Sequence, residues 1–292
     1  MPELPEVEVT RRRIAPHLVG KRIAKVRTTA PSYFFLTPPS TLKRRLKGRR
    51  IEQLERLGKY LLATLDDGAR LLLHLGMTGQ LFTGSASSLR LLTSTSNPGS
   101  VLTPEDQPAF EPDGHTHLVL EMEGGEPVLF RDVRKFGKVQ WLARGETDKR
   151  LEKLGMDALL ATGAHLFEKS RGRKVAIKSW LLDQSVLAGT GNIYADEALF
   201  RAGVRPTRPA QRLTRKEADR LAEGLVAVLK RSIETGGSSI SDYVQPDGSD
   251  GQFQDERAVY ARTGEPCLTC GTPIARKVLG QRSSHYCPSC QR

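Results

Sequence analysis

The sequence predicts an α+β protein of two domains, with an N-terminal β-sandwich or barrel flanked by a helix and a mostly helical C-terminal domain that ends in a four-cysteine hairpin. Three observations support this prediction. Short runs of β-type residues, separated by turn signals, fill positions 21–142. From position 143 onward the apolar residues recur at helical spacing. All four cysteines lie near the C-terminus, in two CxxC pairs.

The first element is a helix that we predict over positions 5–15. Its apolar residues fall on one side, and Pro16 and Gly20 are expected to end it. Positions 85–113 form a Ser-, Thr- and Pro-rich segment, which we interpret as a tolerated surface insertion. The strands predicted in the N-terminal region span 22–26, 60–65, 70–74, 117–122 and 128–131.

The second region is expected to be mostly helical, after a hinge at 145–147. Its predicted helices span 148–154, 157–169, 175–183, 193–201 and 214–235. The chain therefore divides, as a prediction, into a β domain at 1–144, a helical domain at 148–262 and a cysteine-containing segment at 263–292.

The cysteine spacing predicts a metal site. Two close CxxC pairs, sixteen residues apart, can each clamp one side of a tetrahedral zinc ion, and the ligands would be Cys267, Cys270, Cys287 and Cys290. Two disulfides are the alternative, which suits a secreted protein. Four thiolates close the coordination shell, so the zinc would be structural. The finger would then present a basic and polar loop with Lys277, Gln281, Arg282 and His285.

Charge points to a polyanionic partner. The chain has 45 Lys and Arg against 33 Asp and Glu, a net charge of +12. Nucleic acid is the first candidate and an anionic membrane the second; a generally basic, soluble protein is the alternative. No apolar stretch approaches the roughly 20 residues of a membrane span, and the N-terminus has no apolar signal core. We therefore expect a soluble, cytoplasmic protein.

The N-terminus carries a possible nucleophile. Removal of Met1 would leave Pro2 with a secondary amine, which titrates near about 8 where a lysine titrates near about 10.4. Condensation of this amine with a sugar aldehyde gives an iminium, an electron sink that can drive elimination. Glu3 could donate or accept the proton. The alternative is that Pro2 only stiffens an exposed terminus and that the glutamates form a solvated helix start.

The first eight residues, Met-Pro-Glu-Leu-Pro-Glu-Val-Glu, resemble the N-terminal signature of the formamidopyrimidine-DNA glycosylase family, bacterial enzymes that excise oxidised purines such as 8-oxoguanine. The related endonuclease VIII branch usually has glycine at the fourth position, so Leu4 favours the purine branch. The resemblance implies that Pro2 is the Schiff-base nucleophile and Glu3 the acid. It extends from Pro2 to Gln291, apart from the insertion.

The resemblance also implies roles in the β region. Lys59, in Leu-Gly-Lys-Tyr-Leu, would assist elimination and contact a phosphate, although a lone lysine is usually a surface residue. Met77, Arg134 and Phe136 lie in Gly-containing turns that in the family fill the gap left by an extruded nucleotide. The alternative for the methionine and phenylalanine is a place in the core. His115 corresponds to a family histidine that contacts DNA.

In the helical region, a basic cluster at 171–178 precedes a helix, and a glycine turn precedes the next one. Such segments present cations and amides to phosphates, although the cluster could be a solvated charge run. The segment resembles the family's helix–two-turns–helix motif, in which Arg173, Lys178 and Asn192 would grip the strand. The family's counterpart of the loop 236–251 closes over the flipped base. Arg282, like Lys59, would donate a proton or contact phosphate during elimination.

The combined prediction is a bifunctional DNA glycosylase and AP lyase that cleaves the strand by β,δ-elimination. Its partner would be damaged double-stranded DNA, gripped between the β domain and the helical and zinc-finger region. It would contain one structural zinc ion and need no redox or nucleotide cofactor. We expect a monomer in the bacterial cytoplasm, associated with the nucleoid. Two alternatives stay open, an endonuclease VIII-like enzyme for oxidised pyrimidines and a non-catalytic zinc-ribbon DNA-binding protein.

Overall fold

The computed structural model describes residues 2–87, 110–240 and 242–292. The chain forms two compact units. The first comprises Met1–Asp148 and Gly236–Gln252, and the second comprises Lys149–Thr235 and Phe253–Arg292. The chain thus returns to the first unit after 235. Most of the predicted insertion at 85–113 lies outside the described residues.

Among its described residues, the first unit combines one long helix, one short helix and two antiparallel sheets of four strands. Its elements are α1 (Leu4–Leu18), β1 (Ile23–Thr28), α2 (Pro39–Leu46), β2 (Ile51–Leu57), β3 (Tyr60–Leu65), β4 (Arg70–His74), β5 (Gly79–Thr83), β6 (Thr116–Met122), β7 (Val128–Asp132) and β8 (Lys138–Leu142). One sheet has the order β2-β3-β4-β8 and the other β1-β6-β7-β5. The predicted β-rich N-terminal domain is confirmed.

The two sheets share one hydrophobic core. Leu61, Ala63 and Leu65 alternate along β3, and Leu118 and Leu120 alternate along β6; all five belong to the same buried cluster. The spacing of two arises because successive strand residues point to opposite faces. The sheets therefore pack face to face as a sandwich.

Helix α1 begins one residue before its predicted start but ends three residues after its predicted end, at Leu18. The predicted stop at Pro16 was wrong. Proline removes one helical hydrogen bond, to the carbonyl four residues earlier. The last turn still closes, because Val19 N donates to Ala15 O at 2.8 Å. The predicted apolar face is confirmed, since its residues are buried: Leu4, Val7, Ile14 and Leu18.

The second unit is mainly helical and ends in a hairpin, as predicted. Its predicted helix over 157–169 is broken into a 3-10 turn at Ala158–Leu160 and a separate helix, because Thr162 caps the latter by accepting from His165 N at 3.2 Å. The elements are α3 (Lys149–Glu152), α4 (Gly163–Ser170), α5 (Ile177–Leu181), α6 (Asn192–Ala202), α7 (Arg215–Glu234), a short parallel pair β9 (Met156–Asp157) and β10 (Leu187–Ala188), and the antiparallel hairpin β11 (Ala275–Leu279) and β12 (Arg282–Tyr286).

Two features complete this unit. Helix α7 starts with a reciprocal cap in which Thr214 and Glu217 hydrogen-bond each other's backbone N–H groups. Helices α4 and α7 approach so closely that a Cβ at Gly163 would collide with Asp219. Within the ranges that the structure describes, no helix has both the length and the apolar character to cross a bilayer.

Candidate functional site

Pro2 and Glu3 are buried at the start of α1. The backbone N–H of Glu3 donates to Glu6 Oε2 at 2.8 Å, so this carboxylate satisfies a donor at the helix start. Pro5 lies in the first turn, where a missing N–H costs no helical hydrogen bond. The predicted nucleophile is therefore attached to a well-defined helix end.

Glu6 also joins α1 to the segment Gly236–Gln252 of the same unit. Its Oε1 accepts from Ser238 N at 2.9 Å, and its backbone carbonyl accepts from the Tyr243 hydroxyl at 3.3 Å. Burial, with a smaller contribution from the charge of Glu6, raises the pKa of Tyr243, so this hydroxyl stays protonated and can donate. Gly237 has a φ of +86°, and a Cβ there would lie 3.0 Å from the Tyr243 ring. A Cβ at Gly237 would also lie 3.2 Å from the Glu6 side chain of α1, and the positive φ favours glycine at this position.

Lys59 lies in the two-residue turn between β2 and β3 and is half-buried. Gly58, the other residue of the turn, has the positive φ that such hairpin turns require. Arg56 donates to Gly58 O at 3.0 Å and to Glu8 Oε2 at 3.1 Å. The turn that carries Lys59 is thus linked to the helix whose first residues follow Pro2.

Glu8 is the centre of a charged cluster on α1. Arg11, Arg12 and Arg56 all bond its carboxylate, at 2.8, 2.7 and 3.1 Å. Burial acts to raise the pKa of Glu8, but the hydrogen bonds from Arg11 and Arg12 and the charges of Arg11 and Arg56 outweigh it and lower the pKa to about 2. The carboxylate is therefore ionised at neutral pH and holds β2 against α1.

Asp132 joins the two turns that carry the predicted wedge. Its Oδ1 accepts from the Thr78 hydroxyl at 2.5 Å and from Arg134 N at 3.2 Å, and its Oδ2 accepts from Gly137 N at 2.6 Å. Thr78 belongs to the turn between β4 and β5, directly after Met77, whereas Arg134 and Gly137 belong to the turn between β7 and β8. Asp132 has no exposed surface. One buried carboxylate therefore fixes both turns relative to each other.

The predicted wedge residues lie at these turns and are accessible to different degrees. Phe136 is 43% exposed, Arg134 is exposed and Met77 is half-buried. The Arg134 guanidinium lies 4.7 Å from the Phe136 ring centroid, a cation–π arrangement. His115 is adjacent, because its carbonyl accepts from Asp132 N at 2.9 Å. The structure thus brings Met77, His115, Arg134 and Phe136 into one region of the first unit, and Phe136 is not a core residue.

Lys178 differs from the other predicted phosphate contacts. It is fully buried, and its ammonium bonds Asp196 Oδ1 at 2.7 Å and Ser283 O at 2.5 Å. Asp196 also accepts from His285 N at 2.8 Å. Lys178 therefore links α5 and α6 to β12, and a direct phosphate contact would require it to leave Asp196. His285, which the sequence places on the exposed loop, is buried with Asp196; this expectation was wrong because β12 packs on α6.

Arg173 and Asn192 lie in the same unit as Lys178. Arg173 is exposed in the segment before α5, whereas Asn192 is half-buried in the first turn of α6. The Asn192 amide lies 3.5 Å from the Tyr260 hydroxyl. Glu197, in the middle of α6, accepts from the backbone N–H groups of residues 258–260 at 2.8 to 3.0 Å. These bonds fix the segment that leads into the cysteine-containing region.

Arg282 opens β12 and is exposed. The turn before it consists of Gly280 and Gln281, both at positive φ, which is the preferred geometry for a two-residue hairpin turn. Lys277 on β11 is exposed as well. The hairpin therefore presents basic side chains to solvent, as the sequence predicts for these positions.

The four cysteine sulfurs fit a tetrahedral zinc site. They lie within 4.8 Å of one another. The Sγ atoms of Cys267 and Cys290 are 3.9 Å apart, and those of Cys270 and Cys287 are 3.5 Å apart. Zinc–sulfur bonds of about 2.3 Å place the corners of a tetrahedron about 3.8 Å apart. The sulfurs are too far apart for disulfides, whose S–S bond is about 2.05 Å.

Five buried carboxylates in these sites were not predicted from the sequence: Glu6, Glu8, Asp132, Asp196 and Glu197. The Glu3-x-x-Glu6 spacing resembles the capping pattern and could have identified the first. Asp132 and Asp196 gain their roles only from partners distant in sequence, such as Thr78 and His285. No local pattern marks such residues.

Comparison with known proteins identifies the family. Three family models match: the formamidopyrimidine-DNA glycosylase N-terminal domain over residues 1–139, the H2TH domain of that glycosylase over 154–244, and a zinc finger found in FPG and IleRS over 264–292. With the sulfur geometry, the last match makes the four cysteines the ligands of one structural zinc ion, as predicted.

Relatives of known name match along their whole length. Formamidopyrimidine-DNA glycosylases from Magnetococcus marinus and Cupriavidus pinatubonensis are each 44% identical, with full coverage of both chains. The MutM (Fpg) crystal structure from Thermus thermophilus is 40% identical, with a TM-score of 0.81 and coverage of 99% of this chain and 98% of that one. A Lactococcus lactis Fpg mutant in complex with Fapy-dG-containing DNA is 32% identical, with a TM-score of 0.83 and full coverage of both chains. The chain belongs to the formamidopyrimidine-DNA glycosylase family.

Proposed function

We propose that this protein excises oxidised purines from duplex DNA and cleaves the abasic strand through its N-terminal proline. The observation that carries this proposal is the buried Pro2–Glu3 terminus, which lies at a capped helix start and is linked to a glycine-rich segment through Glu6. The named relatives are formamidopyrimidine-DNA glycosylases, and this supports a base-excision repair activity for the present chain. The proline mechanism and the lyase step belong to the proposal.

The proposed reaction has two stages, base excision and strand cleavage. After removal of Met1, the neutral amine of Pro2 attacks the anomeric carbon of the damaged nucleotide, the carbon–base bond breaks, and the proton lost by the amine goes to the departing base. Glu3 supplies or relays the proton that opens the sugar ring, which leaves an iminium between Pro2 and the sugar. The iminium acidifies the neighbouring carbon, so the 3′ phosphate leaves in the first elimination and the 5′ phosphate in the second. Lys59 and Arg282 serve as proton donors or phosphate partners in these steps.

Oxidised purines are the favoured substrates. The Lactococcus lactis structure contains Fapy-dG in its DNA, and a MutM structure contains a carbocyclic 8-oxo-G. The family match supports carrying this substrate class over to the present chain. Damaged double-stranded DNA is accordingly the proposed partner of a monomeric protein in the bacterial cytoplasm, where it would associate with the nucleoid.

The remaining predicted residues act in DNA binding. Met77, Arg134 and Phe136 would fill the vacated stack, and His115 would contact DNA beside them. Arg173 and Asn192 would bind phosphates from the second unit, whereas Lys178 would act by positioning β12. We also propose that the chain divides into a catalytic domain at 1–144, a helical domain at 148–262 and a zinc finger at 263–292.

Borohydride trapping tests the covalent step. With a duplex that contains 8-oxoguanine, the mature protein should form a stable adduct, and an N-terminally extended variant should form none. A non-catalytic zinc-ribbon protein would give no adduct with either form. Release of thymine glycol in preference to 8-oxoguanine would contradict the purine assignment and favour the endonuclease VIII-like alternative.

A further inference from the structure

An exposed tyrosine lies beside the wedge turns and has no part in the function proposed above. Tyr33 follows β1 and is 59% exposed. Its hydroxyl donates to Arg134 O at 2.8 Å, so the ring is attached to the turn that carries Arg134 and Phe136. An aromatic residue with this much open surface contributes little to the core, although it is hydrogen-bonded in place.

The segment around Tyr33 is firmly anchored. Phe34 has no exposed surface, and its ring contacts those of Phe35 and Phe130 with centroids 5.0 and 4.8 Å apart. The backbone is also bonded to β8, since Leu36 N donates to Val139 O at 2.9 Å. The exposed Tyr33 ring is therefore held by an anchored backbone, and it can serve as a platform on which another flat group stacks.

A lysine completes this platform. Lys138 Nζ lies 5.1 Å from the centroid of the Tyr33 ring, and it donates to Phe136 O at 3.2 Å and to Gly137 O at 3.0 Å. Arg134 lies over Phe136 in the same way, at 4.7 Å. Two pairs of one aromatic ring and one cation thus lie side by side on this surface.

We propose that Tyr33 and Lys138 bind one nucleotide of the damaged duplex next to the wedge, with its base stacked on the Tyr33 ring and its phosphate at Lys138. This proposal rests on the proposed function. Nucleic-acid strands are bound by this combination, because every base has a face that stacks on an aromatic ring and every linkage has a negative phosphate. The cations of this surface and the net charge of +12 favour such a partner.

The proposal assigns separate roles to the two side chains. The ring supplies stacking energy, which depends on contact and little on salt, whereas the lysine supplies a phosphate contact that weakens as salt rises. The Tyr33 hydroxyl only orients the ring against Arg134. Substitutions can therefore separate the three contributions.

The experiment measures binding of a duplex that contains a tetrahydrofuran abasic analogue, by fluorescence anisotropy at several salt concentrations. Tyr33→Ala should weaken binding roughly five- to hundredfold, the range for loss of one stacked base. Tyr33→Phe should stay within about threefold of wild type, because the ring remains. Lys138→Met should lower the salt slope by about one. Leu160→Ala, which removes a side chain that is 69% exposed in the other unit, is the matched control and should bind like wild type.

A spectroscopic measurement locates the nucleotide. 2-Aminopurine, whose fluorescence falls on stacking, is placed at each position flanking the analogue. One position should show protein-dependent quenching that Tyr33→Ala abolishes and Tyr33→Phe retains. Equal binding and equal quenching for wild type and Tyr33→Ala would overturn the inference alone. If wild-type protein showed no preference for the analogue over undamaged duplex, the proposed function would fall, and this inference with it.

Discussion

At the scale of single residues, buried carboxylates determine the local geometry of the candidate site. Glu6 binds backbone N–H groups of the helix start and of the segment after position 235. Asp132 accepts from the Thr78 hydroxyl of one wedge turn and from backbone N–H groups of the other, and Asp196 accepts from the backbone N–H of His285 in the finger hairpin. A buried charge must be paired or hydrogen-bonded, so each carboxylate fixes the groups around it. The residues that would touch DNA thus depend on residues that do not.

The contact between Thr78 and Asp132 can be tested with a matched pair of substitutions. Thr78→Val keeps the shape but removes the hydroxyl that donates to Asp132, whereas Thr78→Ser keeps it. A hydrogen bond to a charged group is worth about 1.5–3 kcal/mol, so Thr78→Val should lower the free energy of unfolding by that amount. Urea denaturation measures it. Equal unfolding free energies for the two variants would show that this bond does not stabilise the turns.

The same pair should differ in activity. In Thr78→Val, displaced wedge turns should slow the excision of 8-oxoguanine from a fully paired duplex. Strand cleavage at a preformed abasic site, where no base must be extruded, should change less. A parallel loss of both activities would contradict a role in positioning the wedge.

The lowered pKa of Glu8 predicts how the stability of the protein depends on pH. Its pKa is lowered to about 2, whereas the ordinary value is 4.5, so its ionised form is favoured in the folded state. The stabilisation is therefore fully present above pH of about 4.5 and is lost as the pH falls towards 2. Glu8→Gln should be less stable than wild type at neutral pH and should lose less stability over this window. Melting temperatures that fall in parallel for both proteins would contradict the assignment.

At the scale of elements, α1 and the glycine-rich segment after position 235 act as one assembly. Ser238 N and the Tyr243 hydroxyl both bond Glu6, and Arg13 pairs with Asp247 at 2.5 Å. The segment that the family resemblance associates with the flipped base is therefore attached to the helix that directly follows Pro2 and Glu3. A substitution in this segment should therefore alter the hydrogen bonds at the N-terminal end of α1.

Hydrogen exchange tests this coupling. Glu6→Gln keeps the size of the side chain but replaces one carboxylate oxygen with a donor, so it cannot accept both the Glu3 and the Ser238 N–H groups on separate oxygens. Whichever of the Ser238 and Glu3 amides loses its acceptor should exchange at least about tenfold faster than in wild type, consistent with a loss of roughly 1.5–3 kcal/mol. Glu123→Gln, at an exposed site, is the control. Unchanged protection at both amides would refute the coupling.

The finger hairpin depends on its metal. Cys287→Ser removes one of four thiolates, so zinc content should fall from about one per chain towards zero. DNA binding should weaken because β11 and β12 lose their support, whereas Ser289→Ala should change neither property. Elemental analysis and anisotropy measure the two effects. Unchanged DNA binding by a zinc-free variant would reject the role of the finger as a scaffold.

Local patterns predicted many elements well and some contacts poorly. The strands at Tyr60–Leu65 and Arg70–His74 match their predicted bounds, because alternation and turn residues are local signals. The end of α1 was predicted too early, because Pro16 lies in the last turn of the helix, where the loss of one hydrogen bond does not stop it. The burial of Lys178 was not predicted, since its partner Ser283 is 105 residues away in the chain. Tertiary partners of this kind have no signature in a single sequence.

At the scale of the whole molecule, the residues of the proposed site are distributed over both units of the chain. The first unit carries the Pro2–Glu3 terminus, Lys59 and the wedge turns, whereas the second carries Arg173, Asn192 and the zinc finger with Arg282. The net charge of +12 suits a partner with many phosphates. The family match extends over both units, so all these parts belong to one repair glycosylase.

The most direct test of the account is to identify the amine that becomes joined to DNA. The borohydride-trapped complex is digested, and the modified peptide is sequenced by mass spectrometry. The account predicts that Met1 is absent and that the deoxyribose remnant is attached to the nitrogen of Pro2. A remnant on Lys59 or any other lysine, or a fully active protein that retains Met1, would contradict it.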